Sequence, residues 1–216
     1  MNLDQMLSQW RTFCAKYAFS DPDPFFKDIQ EHYDKSPRFY HTFEGHIGTG
    51  LDDLARFQHY CENPELVYYS WLFHDAIQDP HRKDNEEQSA VYASGLAKRM
   101  RLPRLFSQDS PQLILATRHG PIPSSNDSRM MICLDLLIFA KPWEEYDQYR
   151  QHIAEEYRDI IATLSPKKFD TRRAGIIKRF AQRRALYPIY EIEREYGDKA
   201  RENLRRELQE LDISEL

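Results

Sequence analysis

Apolar residues recur at every third or fourth position over most of the chain, a spacing that places them on one face of an α-helix. A first amphipathic helix is predicted up to about Ser20, and its apolar positions are Leu3, Met6, Leu7, Trp10, Phe13, Cys14 and Tyr17. Asp-Pro-Asp-Pro at 21–24 breaks this helix and starts a short second one from Pro24 to about Tyr33. Ser36-Pro37 predicts a further break.

The same periodicity predicts the helices of the rest of the chain. Their expected ranges are 42–60, 64–74, 85–99, 111–118, 129–140, 142–164, 166–186 and 188–212, with a polar connector at 78–84 and a turn-rich segment at 120–128. No alternating β-branched run and no glycine-rich phosphate loop occurs, so the expected fold class is all-α. Because no Gly-, Ser- or Pro-rich linker occurs, we predict one domain, 1–216, with the helices at about 142–212 packed on a bundle at about 36–140.

The composition argues against two broad classes of protein. Hydrophobic residues make up 41% of the 216 residues and charged residues 30%, which is typical of neither a membrane protein nor a disordered chain. No apolar run is long enough to span a membrane, and the first ten residues do not resemble a secretory signal. We therefore expect a cytoplasmic protein with no membrane partner, in which Cys14, Cys61 and Cys133 are reduced packing residues.

The formal net charge of −5 argues against nucleic acid as the main partner. A metal site with a few nearby Lys and Arg could still bind a nucleotide phosphate in an acidic protein. The arginine pairs at 172–173, 183–184 and 205–206 are interleaved with Glu and Asp, which favours solvated, ion-paired helix faces.

Asp135 lies in an apolar segment, 130–140, where packing does not explain a carboxylate. Burying an unpaired carboxylate is costly, so a metal ligand is one interpretation. A helix face that reaches solvent and an ion pair with an arginine are the alternatives.

Histidines stand at two other places of interest. His74-Asp75 ends an apolar helix, where a core histidine with a satisfied hydrogen bond is the alternative to a ligand. His41 and His46 lie five residues apart, so they do not share one helix face. If a helix begins near Thr42, one of them could bind a metal ion while the other faces a substrate.

In chain order, His46, His74-Asp75 and Asp135 form an H…HD…D pattern. This pattern resembles the HD superfamily of metal-dependent phosphohydrolases. The resemblance implies an HD-type helical bundle with these four residues as ligands of a divalent metal ion. Two imidazoles and two carboxylates suit Mn²⁺, Fe²⁺, Co²⁺, Ni²⁺ or Zn²⁺, with Mg²⁺ also open, and the lack of thiolates argues against a structural zinc site.

The resemblance covers most of the chain. Within the superfamily it is to a bacterial subgroup of predicted HD phosphohydrolases that have no assigned substrate. The segments that carry it are 38–41, 46–47, 73–80, 84–90, 115–119, 134–136, 146–157 and 172–190. Two positions depart from that subgroup. Thr42 replaces a frequent Asn, and Leu134-Asp135-Leu136 replaces a Leu-Asp-Ala-Asp segment, but neither change removes a ligand.

Two candidate catalytic residues lie beside the ligands. Cyclic-nucleotide phosphodiesterases share a similar Tyr-His…His arrangement, and by that analogy His41 is the candidate general acid. The alternative is a structural hydrogen bond at the start of a helix. Asp79 would share a face with Asp75 if the helix continued one turn, and could then orient a water or His74. A surface turn before Pro80 is the alternative.

Glu86 is the third candidate catalytic residue, because it could support the metal shell or its water. The alternative is a capping box formed by Asp84 and Glu87. The candidate substrate-binding residues are Arg38, Asn85, Arg118 and His119. Arg38, Lys83 and Arg118 could neutralise phosphate, although solvated surface charge also explains them. His119 could ligate a second metal, bind phosphate or cap a helix C-terminus.

The resemblance implies hydrolysis of a phosphate ester or phosphoanhydride in a nucleotide or another small phosphorylated metabolite. Two other functions stay open. The first is a di-iron HD-type oxygenase, which would need further ligands; the available histidines are His119, His41 and His81. The second is a non-catalytic nucleotide-binding or signalling domain, which would need no turnover. A homo-oligomer is also open, since Trp143, Tyr146 and Tyr149 could be core or interface residues.

Overall fold

The computed structural model describes residues 1–35, 38–164 and 166–211, and of Pro166 it describes the backbone alone. Within these ranges 73% of the residues are helical and no strand occurs, so the predicted all-α class is confirmed. No helix in the described part of the chain is long and apolar enough to cross a membrane. The predicted break at Ser36-Pro37 lies outside the described residues, as does position 212 of the predicted last helix.

The described ranges contain twelve α-helices and three short helical turns of other kinds. The helices are α1 Leu3–Lys16, α2 Asp23–Asp34, α3 Gly48–Phe57, α4 Pro64–Phe73, α5 Asn85–Arg99, α6 Arg104–Gln108, α7 Ser110–Ala116, α8 Asn126–Leu136, α9 Trp143–Glu156, α10 Arg158–Thr163, α11 Pro166–Ala181 and α12 Tyr190–Glu210. A π-helical turn covers Phe43–Ile47, and 3₁₀ turns cover Gln58–Tyr60 and Leu137–Ala140.

Several predicted helix limits are wrong, although α5 begins and ends where the sequence predicts. The predicted helices 42–60 and 142–164 are each divided, the second at Tyr157, and α6 was not predicted. Helix α1 ends before Ser20 because Ala18 adopts a left-handed conformation, with φ 53°, and the Phe19 N–H donates to the Cys14 carbonyl at 3.1 Å. Helix α8 begins inside the predicted turn-rich segment, because the Glu62 carboxylate accepts from the Asn126 N–H at 3.1 Å.

The chain forms two compact units, Met1–Leu134 and Asp135–Leu216. The single domain expected from the sequence stays a prediction. In the first unit, α4 is the most enclosed helix, with Leu66, Val67, Tyr69, Ser70, Trp71, Leu72 and Phe73 all buried. A helix that is apolar on nearly every side belongs in a core, and α4 packs against α3, α5, α6 and α7. The end of α4 therefore delivers the residues that follow it to a buried position.

The second unit contains a buried carboxylate that joins three of its helices. Glu207 of α12 is 1% exposed and accepts from Nε of Arg173, on α11, at 2.8 Å. The hydroxyl of Tyr146, on α9, donates to the same carboxylate. Asn203 of α12 donates to the carbonyls of Phe139 and Lys141, each at 2.8 Å. These contacts fasten α12 to α9, to α11 and to the 3₁₀ turn at 137–140.

We expect Glu207→Ala to lower the free energy of unfolding by about 3–5 kcal/mol, because it leaves the Arg173 guanidinium, whose side chain is only 12% exposed, without its carboxylate. The matched control is Glu202→Ala in the exposed pair with Lys199, which should cost less than about 1 kcal/mol. Urea unfolding followed by circular dichroism measures both variants. Equal losses in the two variants would show that the Glu207 contacts do not stabilise this unit.

Candidate metal centre

His46 lies in the π-helical turn that precedes α3. The Thr42 carbonyl accepts from the N–H groups of both His46, at 3.1 Å, and Ile47, at 3.3 Å, and the second bond spans five residues. The Thr42 hydroxyl also caps the turn by accepting from the Gly45 N–H at 3.1 Å. A Cβ at Gly45 would lie 2.5 Å from that hydroxyl oxygen, so any larger residue there would displace the capping hydroxyl. This wide turn holds the His46 ring in a buried position.

His74 and Asp75 follow directly after the last residue of α4. Nδ1 of His74 lies 2.8 Å from the Trp71 carbonyl, which can only accept, so Nδ1 carries the proton. This tautomer leaves the lone pair on Nε2, the atom that faces the site. The Trp71 ring stacks on the His74 imidazole with centroids 4.0 Å apart, and its Nε1 donates to the Ile47 carbonyl at 3.0 Å. Trp71 therefore fixes the His74 ring and joins α4 to the turn that carries His46.

Three ligand atoms converge at this place. Nε2 of His46 lies 3.1 Å from Nε2 of His74 and 3.2 Å from Oδ2 of Asp75, and the last two atoms are 3.1 Å apart. Two ligands bound about 2.1 Å from one ion at angles of roughly 90–109° lie about 3.0–3.4 Å apart. The separations of these three atoms therefore fit a divalent ion.

Asp135 completes the group of four residues. It lies on the last turn of α8, a helix that starts at Asn126 in the first unit. One ligand atom from each of His46, His74, Asp75 and Asp135 lies within 4.8 Å of the others. These residues form a His/Asp cluster that could hold a metal ion, as the sequence predicts.

Burial and the neighbouring ionisable groups have opposing effects on the pKa values of Asp75 and His46. Burial acts to raise the pKa of Asp75, but His74, His46 and His41 outweigh it and hold that pKa well below its usual range. Burial lowers the pKa of His46, and the neighbouring His74 and His41 lower it further against the opposing effect of Asp75. An ionised carboxylate and a neutral imidazole are the forms that bind metal ions.

The Asp127 carboxylate links the N-terminal ends of α4 and α8, the two helices that lead to ligands. Asp127 of α8 is 6% exposed and accepts from the N–H of Glu62 at 2.7 Å and of Asn63 at 3.0 Å. Asn63 itself caps α4 by accepting from the Leu66 N–H at 3.0 Å. Helix α4 runs from this contact towards His74, and α8 runs from it to Asp135. The Asp127 contact therefore positions both helices.

His41 borders the cluster, and Arg38 holds it there. Nε2 of His41 lies 4.0 Å from Oδ2 of Asp75, and both side chains are 15% exposed. The Arg38 guanidinium donates to the carbonyls of Asp75, Ala76, His32 and His41 at 2.6, 3.0, 3.1 and 3.3 Å. Arg38 thus fastens the backbone of the His41 segment to that of the Asp75 segment. Its predicted contact with substrate stays a prediction.

Asp79 would share a face with Asp75 only if α4 continued one turn, but α4 ends at Phe73, and the structure has the alternative, a turn before Pro80. Asp79 instead forms a turn in which its Oδ1 accepts from the His81 N–H at 2.9 Å. Asn85 fixes this turn, since its amide accepts from the Asp79 N–H at 3.2 Å and donates to the Asp79 carbonyl at 2.9 Å. Asp79 is outside the four-residue cluster, and the Asn85 amide is engaged with the backbone.

Glu86 is half-buried in the first turn of α5 and is also outside the cluster. The alternative for this segment, a capping box of Asp84 and Glu87, is not formed. The Asp84 carboxylate accepts from the side chains of Arg82 and Gln88, at 2.7 and 2.9 Å, and makes no capping bond to the helix.

Arg118 and His119 follow α7. Arg118 forms an ion pair with Glu87, and the Arg118 side chain is 47% exposed. His119 adopts a left-handed conformation with φ 55°, which is uncommon for a residue other than glycine. Among the residues that the structure describes, the metal-ligand group includes neither His119 nor His81. Substrate binding by Arg118 and His119 stays a prediction.

Sequence reasoning missed three residues that position the ligands, which are Gly50, Trp71 and Asp127. A Cβ at Gly50 would lie 2.1–2.5 Å from three atoms of the Trp71 ring, so the ring needs a glycine on α3. A glycine inside a helix is a local signal of close packing. No local pattern shows that Asp127 binds backbone groups 64 and 65 residues earlier in the chain.

Comparison with known proteins gives no relative for this chain. No family model, no curated protein and no solved structure matches it. The likeness to the HD superfamily therefore stays a prediction from the motif residues.

We expect Gly50→Ala to weaken binding of Mn²⁺ or Zn²⁺ by about 10- to 100-fold, because the added methyl displaces the Trp71 ring that orients His74. Gly95→Ala is the matched control, since no atom lies within 4 Å of a Cβ at that position of α5. Competition titration against a chromophoric chelator measures the affinities. Wild-type affinity in Gly50→Ala would show that Trp71 does not orient the ligand.

Proposed function

We propose that the protein is a divalent-metal-dependent hydrolase of phosphate esters or phosphoanhydrides, with His46, His74, Asp75 and Asp135 as metal ligands. The observation that carries the proposal is the convergence of Nε2 of His46, Nε2 of His74 and Oδ2 of Asp75 at 3.1–3.2 Å. The ordered H…HD…D motif and its resemblance to HD phosphohydrolases support the same reaction class.

The donor set favours a catalytic ion over a structural zinc. Two imidazoles and two carboxylates suit Mn²⁺, Fe²⁺, Co²⁺, Ni²⁺, Zn²⁺ and also Mg²⁺. Burial raises the pKa of the Cys14 and Cys61 thiols to about 12, so neither offers a thiolate near neutral pH. When bound, such an ion would polarise a phosphoryl oxygen and lower the pKa of a water molecule.

His41 is the proposed general acid. Its Nε2 lies at the edge of the cluster, 4.0 Å from Oδ2 of Asp75, so a proton on that nitrogen could pass to a leaving oxygen held at the site. Arg38 donates to the backbone carbonyls of both residues and so holds His41 beside the ligands. The proposed substrate is a nucleotide or another small phosphorylated metabolite, in a cytoplasmic setting.

A di-iron oxygenase is supported less well. It would need a second set of ligands, and within the described residues the His/Asp group stops at four members. One ion per chain, with turnover that does not depend on oxygen, is the outcome that the hydrolase proposal expects.

We expect Ala at His74, Asp75 or Asp135 to remove both the bound metal and turnover, because each change deletes a ligand. The exposed His59 supplies the control, and His59→Ala should retain both. Metal content is measured by mass spectrometry after dialysis against Mn²⁺. Turnover is measured as phosphate or nucleotide product across a panel of nucleotides and phosphate esters. Full turnover by a metal-free Asp135→Ala variant would refute the ligand assignment, and a metal-loaded wild type with no turnover would favour the non-catalytic alternative.

We expect His41→Ala to keep the metal but to slow hydrolysis by about 10²–10⁴-fold, the usual contribution of general acid catalysis. A substrate with a good leaving group, such as a nitrophenyl ester, should be slowed much less, because its leaving oxygen needs no proton. Loss of the metal together with activity would make His41 a structural residue, and an unchanged rate would exclude it as the acid.

A further inference from the structure

Helix α11 carries a strong positive charge in a chain whose formal net charge is −5. This helix and the three residues after it, 166–184, contain eight lysines and arginines and a single acidic residue, Asp170. Like charges so close together repel one another unless acidic side chains or a bound polyanion neutralise them. The partners of these cations therefore decide what this face of the second unit can bind.

One of the eight cations has a buried acidic partner. Arg173 pairs with Glu207, and the Arg173 side chain is 12% exposed. Six others form no ion pair with any residue that the structure describes, and all six are exposed. These six are Lys167, Lys168, Arg172, Lys178, Arg179 and Arg184. The solvent-exposed face of α11 therefore carries positive charge that no described carboxylate neutralises.

Helix α12, in the same unit, shows the opposite arrangement. Lys199 pairs with Glu202 at 2.9 Å, and Arg206 pairs with Glu210 at 3.3 Å. The ion-paired helix faces that the sequence predicts for the arginine pairs are thus found on α12. On α11 the prediction is met only by the buried Arg173.

Three of the six cations form a straight stripe along α11. At 100° per residue, Lys168, Arg172 and Arg179 lie within about 40° of one another around the helix axis, over a length of about 17 Å. Arg183 follows the end of the helix, and burial together with the positive charge of Arg179 lowers its pKa. The positive charges at this end of α11 therefore act on one another.

Apart from charge, the exposed face of α11 offers few groups to a partner. Ile176, at 39%, is the one large hydrophobic side chain that is exposed among those described on this helix. A protein partner would need an apolar centre to the interface, and a helix lying in a lipid surface would need a free apolar face. Ala174 and Ile177 of α11 are instead buried within the protein. A phosphate backbone needs only cations, and arginine can bind phosphate through two hydrogen bonds.

The aromatic residues of α11 distinguish between two kinds of nucleic acid. Proteins that bind single strands stack the bases on aromatic side chains. Phe169 and Phe180 are both half-buried, so this face presents no fully exposed ring among the described residues. A duplex, whose bases are already stacked, fits the face better.

We propose that the exposed face of α11 binds the phosphate backbone of a nucleic-acid duplex without reading its base sequence. A duplex carries about ten phosphate charges along 17 Å of its axis, enough to neutralise the stripe and the cations beside it. The rest of the chain is acidic and repels a polyanion, so binding would be confined to this face. The surface lies in the second unit, and the proposal does not rest on the hydrolase reaction.

Fluorescence anisotropy of a labelled DNA duplex of about 20 base pairs, titrated with the full chain, tests the proposal. We expect a dissociation constant in the micromolar range at about 50 mM salt, and a slope of about −5 for log affinity against log salt. A duplex of shuffled sequence should bind equally well. The unlabelled single strand should compete more weakly than the duplex.

Two double variants with the same change in net charge make the test specific. Lys168→Gln with Arg179→Gln should weaken duplex binding by about 10-fold or more and reduce the steepness of the salt dependence by about 2. The control is Arg11→Gln with Lys199→Gln, which removes two exposed cations that already have acidic partners. It should change the affinity by less than about 2-fold. Circular dichroism should show wild-type melting for both, because all four positions are exposed.

Four results would overturn the proposal. One is the absence of duplex binding at low salt, and another is equal weakening in the two double variants, which would make net charge rather than this face responsible. The third is tighter binding to vesicles of equal parts phosphatidylserine and phosphatidylcholine, which would assign the face to a lipid surface. The fourth is a single strand that competes better than the duplex.

Discussion

The close approach of three ligand atoms is the constraint on which the rest of the candidate site depends. Nε2 of His46, Nε2 of His74 and Oδ2 of Asp75 lie 3.1–3.2 Å from one another. Atoms of this kind repel unless a cation or a shared proton lies among them. His46 and His74 are 5% and 1% exposed, so bulk water cannot separate them. A divalent ion among them would satisfy all three atoms at once, and a ligand atom of Asp135 lies within 4.8 Å of each.

The surrounding fold keeps these atoms in place through contacts that are not themselves ligands. The apolar α4 delivers His74 and Asp75 into the interior of the first unit. Trp71 fixes the His74 tautomer through its carbonyl and the ring plane through stacking. Arg38 draws the His41 segment against the Asp75 segment, and Asp127 joins the start of α8 to the start of α4. The ligands thus come from segments far apart in the chain, and hydrogen bonds to the backbone fix their relative positions.

Helical periodicity predicted most elements, and the ordered histidine and aspartate residues predicted the cluster that the structure brings together. The errors lie where side-chain hydrogen bonds decide the backbone. Asp79 lies in a turn that Asn85 and the His81 N–H stabilise, so α4 does not continue and bring it onto the face of Asp75. The start of α8 depends on Glu62 and Asp127, which are far apart in sequence and carry no local signature. A packing requirement such as the close contact of Gly50 with the Trp71 ring is also visible only in the three-dimensional structure.

The most direct test of the central claim is anomalous diffraction from crystals of the full chain grown with Mn²⁺ or Zn²⁺. The account predicts one strong anomalous peak, about 2.0–2.2 Å from Nε2 of His46, Nε2 of His74 and a carboxylate oxygen of Asp75, with Asp135 as a further ligand. A peak at another place, or no peak at a metal concentration that saturates binding in solution, would contradict it.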